Sequence, residues 1–278
     1  MRADNSRAHL LVVADDFGLH TDIDSGILEC VERGRVQGVS FCPTGQSLEW
    51  KRLIGLMGQG VRVGLHLTLV GEPWSTDGRV IPAWQHLVKH LILGGQPFRA
   101  AMAAEIRRQF HLCADNGVDP RRLSHLDSHQ HVHVLSGLWE LCLAQTKEHG
   151  IRRLRVPWCP TLRVIKKSLG GIALQTFASR RTKEVAHFHP CLGLAHAGRN
   201  TAELLSAELE WAARVGHPDV EMVVHPGVNS PDLESRYPDW HFNWIGERDA
   251  LLSRSFMEAI AANGYALVAT NSQPASPP

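Results

Sequence analysis

The sequence predicts an α/β fold in which short strands alternate with helices around a parallel sheet or barrel. Apolar runs rich in branched residues alternate with stretches of helical periodicity along the whole chain, a pattern typical of parallel βαβ units. The 278 residues contain no internal repeat and no low-complexity linker, so we predict a single domain over residues 1–270. The last stretch, NSQPASPP (271–278), is predicted to be a disordered tail.

The first strand and the first helix have clear boundaries in the sequence. The run HLLVVA (9–14) is short, apolar and branched, and it stops abruptly at DDFGL, which indicates a buried strand followed by a polar loop. Apolar residues then recur at helical spacing from Ile23 to Val31, and Gly34 supplies a stop signal. By the same criteria, the further strands are predicted at 38–43, 61–70, 122–132, 152–157, 220–227 and 265–270. The further helices are predicted at 47–57, 97–116, 136–149, 201–215 and 247–263, with an irregular segment at 161–199.

Composition excludes several classes of protein. Lysine and arginine number 29 against 28 aspartates and glutamates, so the net charge of +1 gives no basis for binding nucleic acid or an acidic membrane surface. The six cysteines form no C-x-x-C pair, which argues against a structural zinc site or a disulfide framework and favours a reducing compartment. Neither a signal peptide nor a transmembrane segment is apparent. We therefore predict a soluble cytoplasmic protein.

Charged and titratable residues follow several predicted strands at the point where each strand ends. Because the carboxyl ends of parallel strands meet on one face of such a fold, these side chains are expected to converge. They are Asp15, Asp16, His66, Asp127, His129, Arg155 and His225.

Four of these residues have an ordinary structural alternative. Asp15 and Asp16 could cap the next helix, and they should point to opposite sides if the strand continues through both. His66 could be a core histidine, and His225 could belong to a turn before Pro-Gly.

The segment LSHLDSHQHVHVL (123–135) carries four histidines and one aspartate at every second position. Alternate positions of a strand share one face, and several buried imidazoles beside a carboxylate would leave polar groups unpaired without a cation. An exposed polar edge is the alternative. Since strands average five or six residues, His131 and His133 should lie beyond the strand, and one or two of the five residues should contact a metal.

Imidazole and carboxylate ligands suit zinc, manganese, cobalt, nickel or iron, and magnesium less readily. Two histidines and one carboxylate leave open positions for water and substrate, as in catalytic sites. A second carboxylate could take a proton from water, and His225 could protonate a leaving amine. This set suits hydrolysis of an amide or ester.

Four blocks of the sequence together resemble one known family. VVADDFGL (12–19), GLHLTLV (64–70), SHLDSHQHVH (124–133) and VVHPG (223–227) are similar, in this order, to the YdjC-like carbohydrate deacetylases, the group that contains chitooligosaccharide deacetylase. The closing segment at 246–268 also matches, so the resemblance covers nearly the whole chain.

The resemblance implies a distorted (β/α) barrel of the glycoside hydrolase/deacetylase type and one divalent metal ion (Zn, Mg, Mn, Co or Ni). Carried over by position, the metal ligands would be Asp16, His66 and His129. By analogy with the broader polysaccharide deacetylases, Asp15 would be the general base and His225 the acid. Arg155 would hold or orient either a carboxylate or the substrate.

The implied activity is metal-dependent removal of an N-acetyl group from an amino-sugar glycan or glycoconjugate. CLGLAHAGRNT (191–201) is similar to the family branch associated with hopanoid biosynthesis, which suggests an N-acetylated sugar attached to a lipid. The segment at 157–200 is basic and irregular and is where substrate choice would be encoded. Tryptophans could stack on sugar rings or pack in the core. A homodimer is expected from the resemblance alone. The alternatives are a metal-dependent phosphoesterase on a similar barrel and a catalytically inactive sugar-binding protein.

Overall fold

Seven parallel strands and ten α-helices form one α/β domain in the part of the chain that the computed structural model describes, residues 8–159, 169–185 and 189–270. The strands are β1 (Ala8–Phe17), β2 (Gly38–Phe41), β3 (Arg62–Leu67), β4 (Leu126–Ser128), β5 (Cys191–Leu192), β6 (Asp219–Val224) and β7 (Tyr265–Leu267). The helices are α1 (Thr21–Glu32), α2 (Trp50–Gly58), α3 (Trp84–Leu93), α4 (Gly95–Asp115), α5 (Leu138–Glu148), α6 (Leu169–Arg181), α7 (Ala202–Val215), α8 (Pro231–Arg236), α9 (Trp244–Leu252) and α10 (Arg254–Ala262).

The sheet has the order β4-β3-β2-β1-β6-β5, and β7 also pairs with β1. Ala14 of β1 is in register with Val39 of β2 and with Val224 of β6, which places β1 at the centre. Leu10 and Val12, at alternate positions of β1, are fully buried in the hydrophobic core. Leu11 and Val13, on the opposite face of this strand, are buried as well.

A short segment connects the two edges of the sheet. Leu154 forms a parallel bridge with Leu126 of β4, and the backbone N–H of Cys191 in β5 donates to the carbonyl of Trp158 at 3.0 Å. Residues 154–158 thus contact both edge strands. The predicted α/β barrel-like fold is confirmed as a half-barrel sheet of parallel strands surrounded by helices.

Some predicted elements were wrong. The strand expected at 152–157 is reduced to the single bridge at Leu154, and α3 and α8 were not predicted. The helix expected at 247–263 is two helices, α9 and α10, because Ser253 adopts an extended conformation (φ −65°, ψ 150°) and its hydroxyl accepts from the backbone N–H of Phe256. The irregular segment at 161–199 contains α6 and β5. The predicted tail at 271–278 lies outside the described residues.

Two other expectations concern the chain as a whole. No disulfide joins the six cysteines, all of which lie within the described ranges and are buried. In the same ranges, no helix combines the length and apolar character needed to span a membrane.

The contact between α1 and the loop after β6 requires a glycine. A Cβ atom on Gly26 would stand 2.3 Å from the Cα of Gly227, far inside van der Waals contact. We expect Gly26→Ala to lower the free energy of unfolding by roughly 1–3 kcal/mol, although alanine favours helix. Gly55→Ala in α2 is the matched control, since nothing lies within 4 Å of that position, and should raise stability by about 0.5–1 kcal/mol. Urea denaturation measures both, and equal effects of the two substitutions would contradict this packing.

Asp24 of α1 stabilises the loop that follows β1. Its carboxylate accepts hydrogen bonds from the Gly18 N–H at 2.6 Å and from the Ser47 hydroxyl at 2.8 Å. Burial raises the pKa of Asp24 to about 6, and these two hydrogen bonds only partly oppose that rise. Because the folded-state pKa exceeds the unfolded one, the protonated carboxyl stabilises the fold below about pH 4, and this contribution is lost as the pH rises through about 6.

Asp24→Asn should remove this pH dependence while keeping the shape of the side chain. Relative to that variant, the wild type should lose roughly 1–1.5 kcal/mol of unfolding free energy between about pH 5 and about pH 8. Urea denaturation at several pH values measures the difference, and parallel profiles for the two proteins would show that the expected shift is absent.

Candidate metal centre

Both aspartates at the end of β1 reach the same site because the strand is irregular there. The register of β1 with β2 shifts between Ala14 and Phe17, and Asp16 has the left-handed φ of 70°. That conformation is uncommon outside glycine and is found at functional sites. The expectation that Asp15 and Asp16 point to opposite sides is therefore wrong: each has an oxygen grouped with a nitrogen of His66 within 4.8 Å.

Asp16 lies between the two predicted ligand histidines. Its Oδ1 atom is 2.9 Å from Nδ1 of His129 and 3.4 Å from Nε2 of His66. Metal bonds of 2.0–2.2 Å would place neighbouring ligand atoms about 3.0–3.5 Å apart, so each contact taken singly is close to the spacing of adjacent ligands. The donor atoms of Asp16, His66 and His129 do not all lie within 4.8 Å of one another, so the two imidazoles would have to approach each other to bind one ion. The pKa of Asp16 lies well below its usual range, because the two histidines outweigh the opposing effect of burial.

His66 is oriented by a second carboxylate. Its Nδ1 lies 2.8 Å from Oδ1 of Asp127, so Nδ1–H donates to Asp127 and Nε2 is the nitrogen directed toward Asp16. This carboxylate–histidine arrangement is usual behind metal-binding imidazoles. Although burial alone would lower the pKa of His66, Asp127 and Asp15 raise it to about 10. The strongly negative surroundings that stabilise a proton on this ring would also stabilise a metal cation.

Arg155 is engaged by carboxylates rather than directed to open space. The residue is 1% exposed. Its Nη1 donates to both oxygens of Asp15 at 2.9 and 2.7 Å and also pairs with Asp127. Its Nε donates to Glu221 at 2.9 Å, and its Nη2 contacts Glu221 and Ser40. Arg155 was expected to orient either a carboxylate or the substrate. Its contacts in the structure are with carboxylates, as the first of these roles requires.

The charges of this cluster fit a divalent cation. Asp15, Asp16 and Asp127 are buried with one contacting guanidinium, that of Arg155, which leaves a formal excess of two negative charges. Such an excess in a buried site is costly unless a cation compensates it. The donor set of imidazole and carboxylate suits zinc, manganese, cobalt or nickel.

Two groups of three ligand-type atoms lie within 4.8 Å of one another in the described residues: Asp16 with Cys42 and His66, and Asp15 with His66 and Asp127. His129 is in neither group, and its ring centroid is 5.8 Å from that of His66. Cys42 was not predicted at the site. Burial, together with the nearby carboxylates, raises the pKa of its thiol well above the usual range, which disfavours the thiolate form that binds metals.

Two other histidines of the segment at 123–135, His125 and His133, make hydrogen bonds next to the site. His125 lies between the hydroxyls of Ser40 and Ser124, both at 2.8 Å, and its ring occupies the space that a Cβ on residue 64 would fill. His133 contacts the Ser128 hydroxyl and the carbonyl of Arg155, each at 2.8 Å. Burial lowers the pKa of His125 to about 3 and that of His133 to about 4. Both are therefore neutral structural groups.

The histidine pattern does not lie on one strand. β4 ends at Ser128, and residues His129–Val134 form a 3₁₀ segment in which Gln130 and His131 both have φ of 52°. The left-handed residues directly follow His129, whose Nδ1 lies 2.9 Å from Oδ1 of Asp16. The expectation that His131 and His133 lie beyond the strand is confirmed.

His225 follows β6, next to the register pair Ala14–Val224, and so lies beside the end of β1. Its backbone N–H donates to Oε1 of Glu247 at 3.1 Å, and its ring Nδ1 lies 4.0 Å from the same oxygen. Glu247 is fully buried on α9, and burial raises its pKa. Glu247 therefore holds the backbone of His225, while the ring Nδ1 has no hydrogen-bond partner among the described residues.

An aromatic cluster covers one side of the site. The half-buried ring of Trp240 stacks on His129 with centroids 5.1 Å apart, and Phe242 contacts both Trp240 and His225. Trp74 and Trp244 are 1% and 2% exposed and serve as core residues. Trp240 is thus the tryptophan placed beside the predicted ligands.

Sequence reasoning missed the partners Glu221, Glu247 and Cys42. Glu221 had a usable signal: it interrupts the apolar strand DVEMVV and shares a strand face with Val223 and His225. Glu247 lies in a helix with an ordinary pattern, and nothing local relates it to His225.

Comparison with known proteins agrees with these observations. Residues 9–262 match the family described as YdjC-like protein. A chitooligosaccharide deacetylase of Klebsiella pneumoniae (strain 342) is 26% identical over 268 residues, which cover 93% of this chain and 96% of that protein. A carbohydrate deacetylase of Xenopus laevis is 27% identical over 306 residues, with 95% and 97% covered.

The fold is shared with a solved structure. A candidate cellobiose-phosphate cleavage protein from Enterococcus faecalis V583 superimposes with a TM-score of 0.67 at 19% identity, covering 95% of this chain and 98% of that one. The family match spans most of the chain, from the first strand to the last helix. The protein therefore belongs to the YdjC-like protein family.

Proposed function

We propose that the protein is a metal-dependent hydrolase that removes the N-acetyl group from an amino-sugar glycan or glycoconjugate. The observation that carries the proposal is the position of Asp16, whose carboxylate contacts both His66 and His129 while Asp15 lies beside it. The relatives named as deacetylases of chitooligosaccharides and carbohydrates support this reaction and substrate class.

Asp16, His66 and His129 would hold the metal ion. Asp127 supports this role, because it accepts from Nδ1 of His66 and leaves Nε2 available as a ligand. When bound, a divalent cation lowers the pKa of water and polarises an acyl carbonyl.

Asp15 is the proposed general base. It is not between the two histidines, so its carboxylate remains available to accept a proton from the attacking water. The two hydrogen bonds from Nη1 of Arg155 fix its orientation. Arg155 is therefore a positioning residue in this proposal.

His225 is the proposed acid that protonates the leaving amine. Its backbone N–H donates to Glu247, and its ring Nδ1 lies 4.0 Å from the same carboxylate, so this ring nitrogen is free of a hydrogen-bond partner among the described residues. The partly exposed rings of Trp240 and Phe242 beside His129 and His225 offer an apolar surface for a sugar ring. A free oligosaccharide and a lipid-linked sugar both present such a ring, so both belong to the proposed substrate class.

The phosphoesterase alternative has less support. A phosphoryl group would need cations near the metal, and all three guanidinium nitrogens of Arg155 are already bound to Asp15, Asp127, Glu221 and Ser40.

Metal binding provides the first test. The purified protein should bind one equivalent of a divalent ion, measured by elemental analysis and titration with zinc, manganese, cobalt and nickel. Asp127→Asn should weaken binding about 10–100-fold because it removes an outer partner, and Asp16→Ala, His66→Ala and His129→Ala should weaken it more. Asp77→Ala changes an exposed carboxylate paired with Arg79 and should leave affinity unchanged. Full metal content in the His129 variant would remove that residue from the ligand set.

Acetate release provides the second test. The metal-loaded enzyme should release acetate from N-acetylglucosamine compounds, assayed as free sugars, oligomers and sugar-lipids. Asp15→Asn should lower kcat by about 100-fold or more while metal content persists, because a general base contributes 10²–10⁴-fold in such reactions. Comparison of kcat/KM across the three substrate forms identifies the preferred one. Hydrolysis of phosphoesters without acetate release would favour the phosphoesterase alternative, and binding without turnover would favour the inactive sugar-binding protein.

A further inference from the structure

A cavity of about 520 Å³ lies at the end of the barrel opposite the metal centre, a volume within the usual range of ligand pockets. It is lined by residues at the beginnings of strands, among them His9 of β1, Arg62 of β3 and Asp219 of β6. The predicted ligands lie at or beyond the far ends of the strands, as Asp16 and His66 do. The two sites therefore occupy opposite ends of the same strands.

Two arginines line this cavity from the inside of the curved sheet. Arg62 precedes His66 by four residues on β3 and shares its face, because alternate positions of a strand point the same way. Arg153 precedes Arg155 by two residues across the bridge at Leu154. Barrel interiors are more commonly filled with branched apolar side chains, so two guanidinium groups at this level call for a charge partner.

The carboxylates at the cavity are already engaged. Glu221 pairs with Arg153. It also accepts a hydrogen bond from Nε of Arg155 and forms an ion pair with Nη2 of the same residue. Asp219 lies 3.1 Å from Nδ1 of His9. Within the described ranges, Arg62 takes part in no ion pair and no side-chain hydrogen bond, and burial lowers its pKa without any carboxylate to oppose the effect.

Arg153 has a carboxylate partner, Glu221, but shares it with Arg155. Burial lowers its pKa to about 10, and the nearby cations Arg155 and Arg62 act in the same direction. Burying a cation without a partner is costly, and an anion in the cavity would reduce that cost for the half-buried Arg62, with Arg153 lining the same cavity beside it. Arginine pairs bind phosphate through parallel N–H···O bonds with good geometry.

We propose that this cavity is a binding site for a phosphate-sized dianion, held by Arg62 and Arg153. The ligand is either free inorganic phosphate or the phosphoryl group of a small phosphorylated sugar. The site is separate from the metal centre and does not depend on the proposed function. A bound anion would contact Arg153. Arg153 also pairs with Glu221, which in turn accepts a hydrogen bond from Arg155.

Calorimetric titration of inorganic phosphate into chelator-treated, metal-free protein tests the proposal. Metal is removed so that phosphate does not bind to a metal ion at the metal centre. The wild type should show saturable binding, and Arg62→Ala should weaken it at least about 10-fold, as expected for the loss of a charged hydrogen-bonding partner. Arg121→Ala is the matched control, because that arginine is exposed and paired with Asp119, and it should bind as the wild type does. A parallel titration with glucose 6-phosphate distinguishes the two sources, since tighter binding than phosphate would assign a phosphorylated sugar and equal or weaker binding would assign free phosphate.

Circular dichroism verifies that each variant is folded, and Arg62→Gln replaces Arg62→Ala if the latter is not. Absence of saturable binding of both anions by the wild type would overturn the proposal. So would unchanged affinity in the folded Arg62 variant. Neither result bears on acetate release, so the proposed function is tested separately.

Discussion

The fold and the site both depend on the burial of one guanidinium group. Arg155 is 1% exposed and contacts carboxylates from three different strands, Asp15 of β1, Asp127 of β4 and Glu221 of β6. A buried charge of this kind is tolerated only because every nitrogen has a partner, and loss of one partner in such a cluster commonly costs about 3–5 kcal/mol. The cluster fixes the relative positions of strands that the chain connects only through long helices.

The same cluster explains the negative surroundings of the metal centre. Arg155 neutralises part of the charge of Asp15 and Asp127, and Asp16 remains with the two histidines. The contacts continue inward from Asp15 through Arg155 and Glu221 to Arg153, so charges of opposite sign alternate along the inside of the barrel. At the ends of the strands three aspartates surround one guanidinium group, which suits a cation. At their beginnings Arg153 pairs with Glu221, and Arg62 is the arginine that has no carboxylate partner among the described residues.

Much of the architecture followed from local patterns, and the errors have local causes. The strand at 9–14 and the helix from Ile23 were predicted because apolar period and stop signals agree there. α3 was missed because its N-cap, Ala83, makes no side-chain cap hydrogen bond and gives no start signal. The break between α9 and α10 was missed because the helical period is continuous through Ser253, and only the backbone conformation of that residue separates them.

The sequence by itself indicated most of the polar groups that meet at the site, because polar groups that end apolar strands converge where parallel strands end; it did not indicate Glu221, Glu247 or Cys42. It also determined the family, since four separated motifs match together. Only the tertiary structure decided the partners: Asp16 with the histidines, Asp15 with Arg155, and Glu247 with His225. The reason is that these pairings depend on the left-handed backbone of Asp16 and on contacts between residues far apart in the chain, and neither leaves a periodic signal in the sequence.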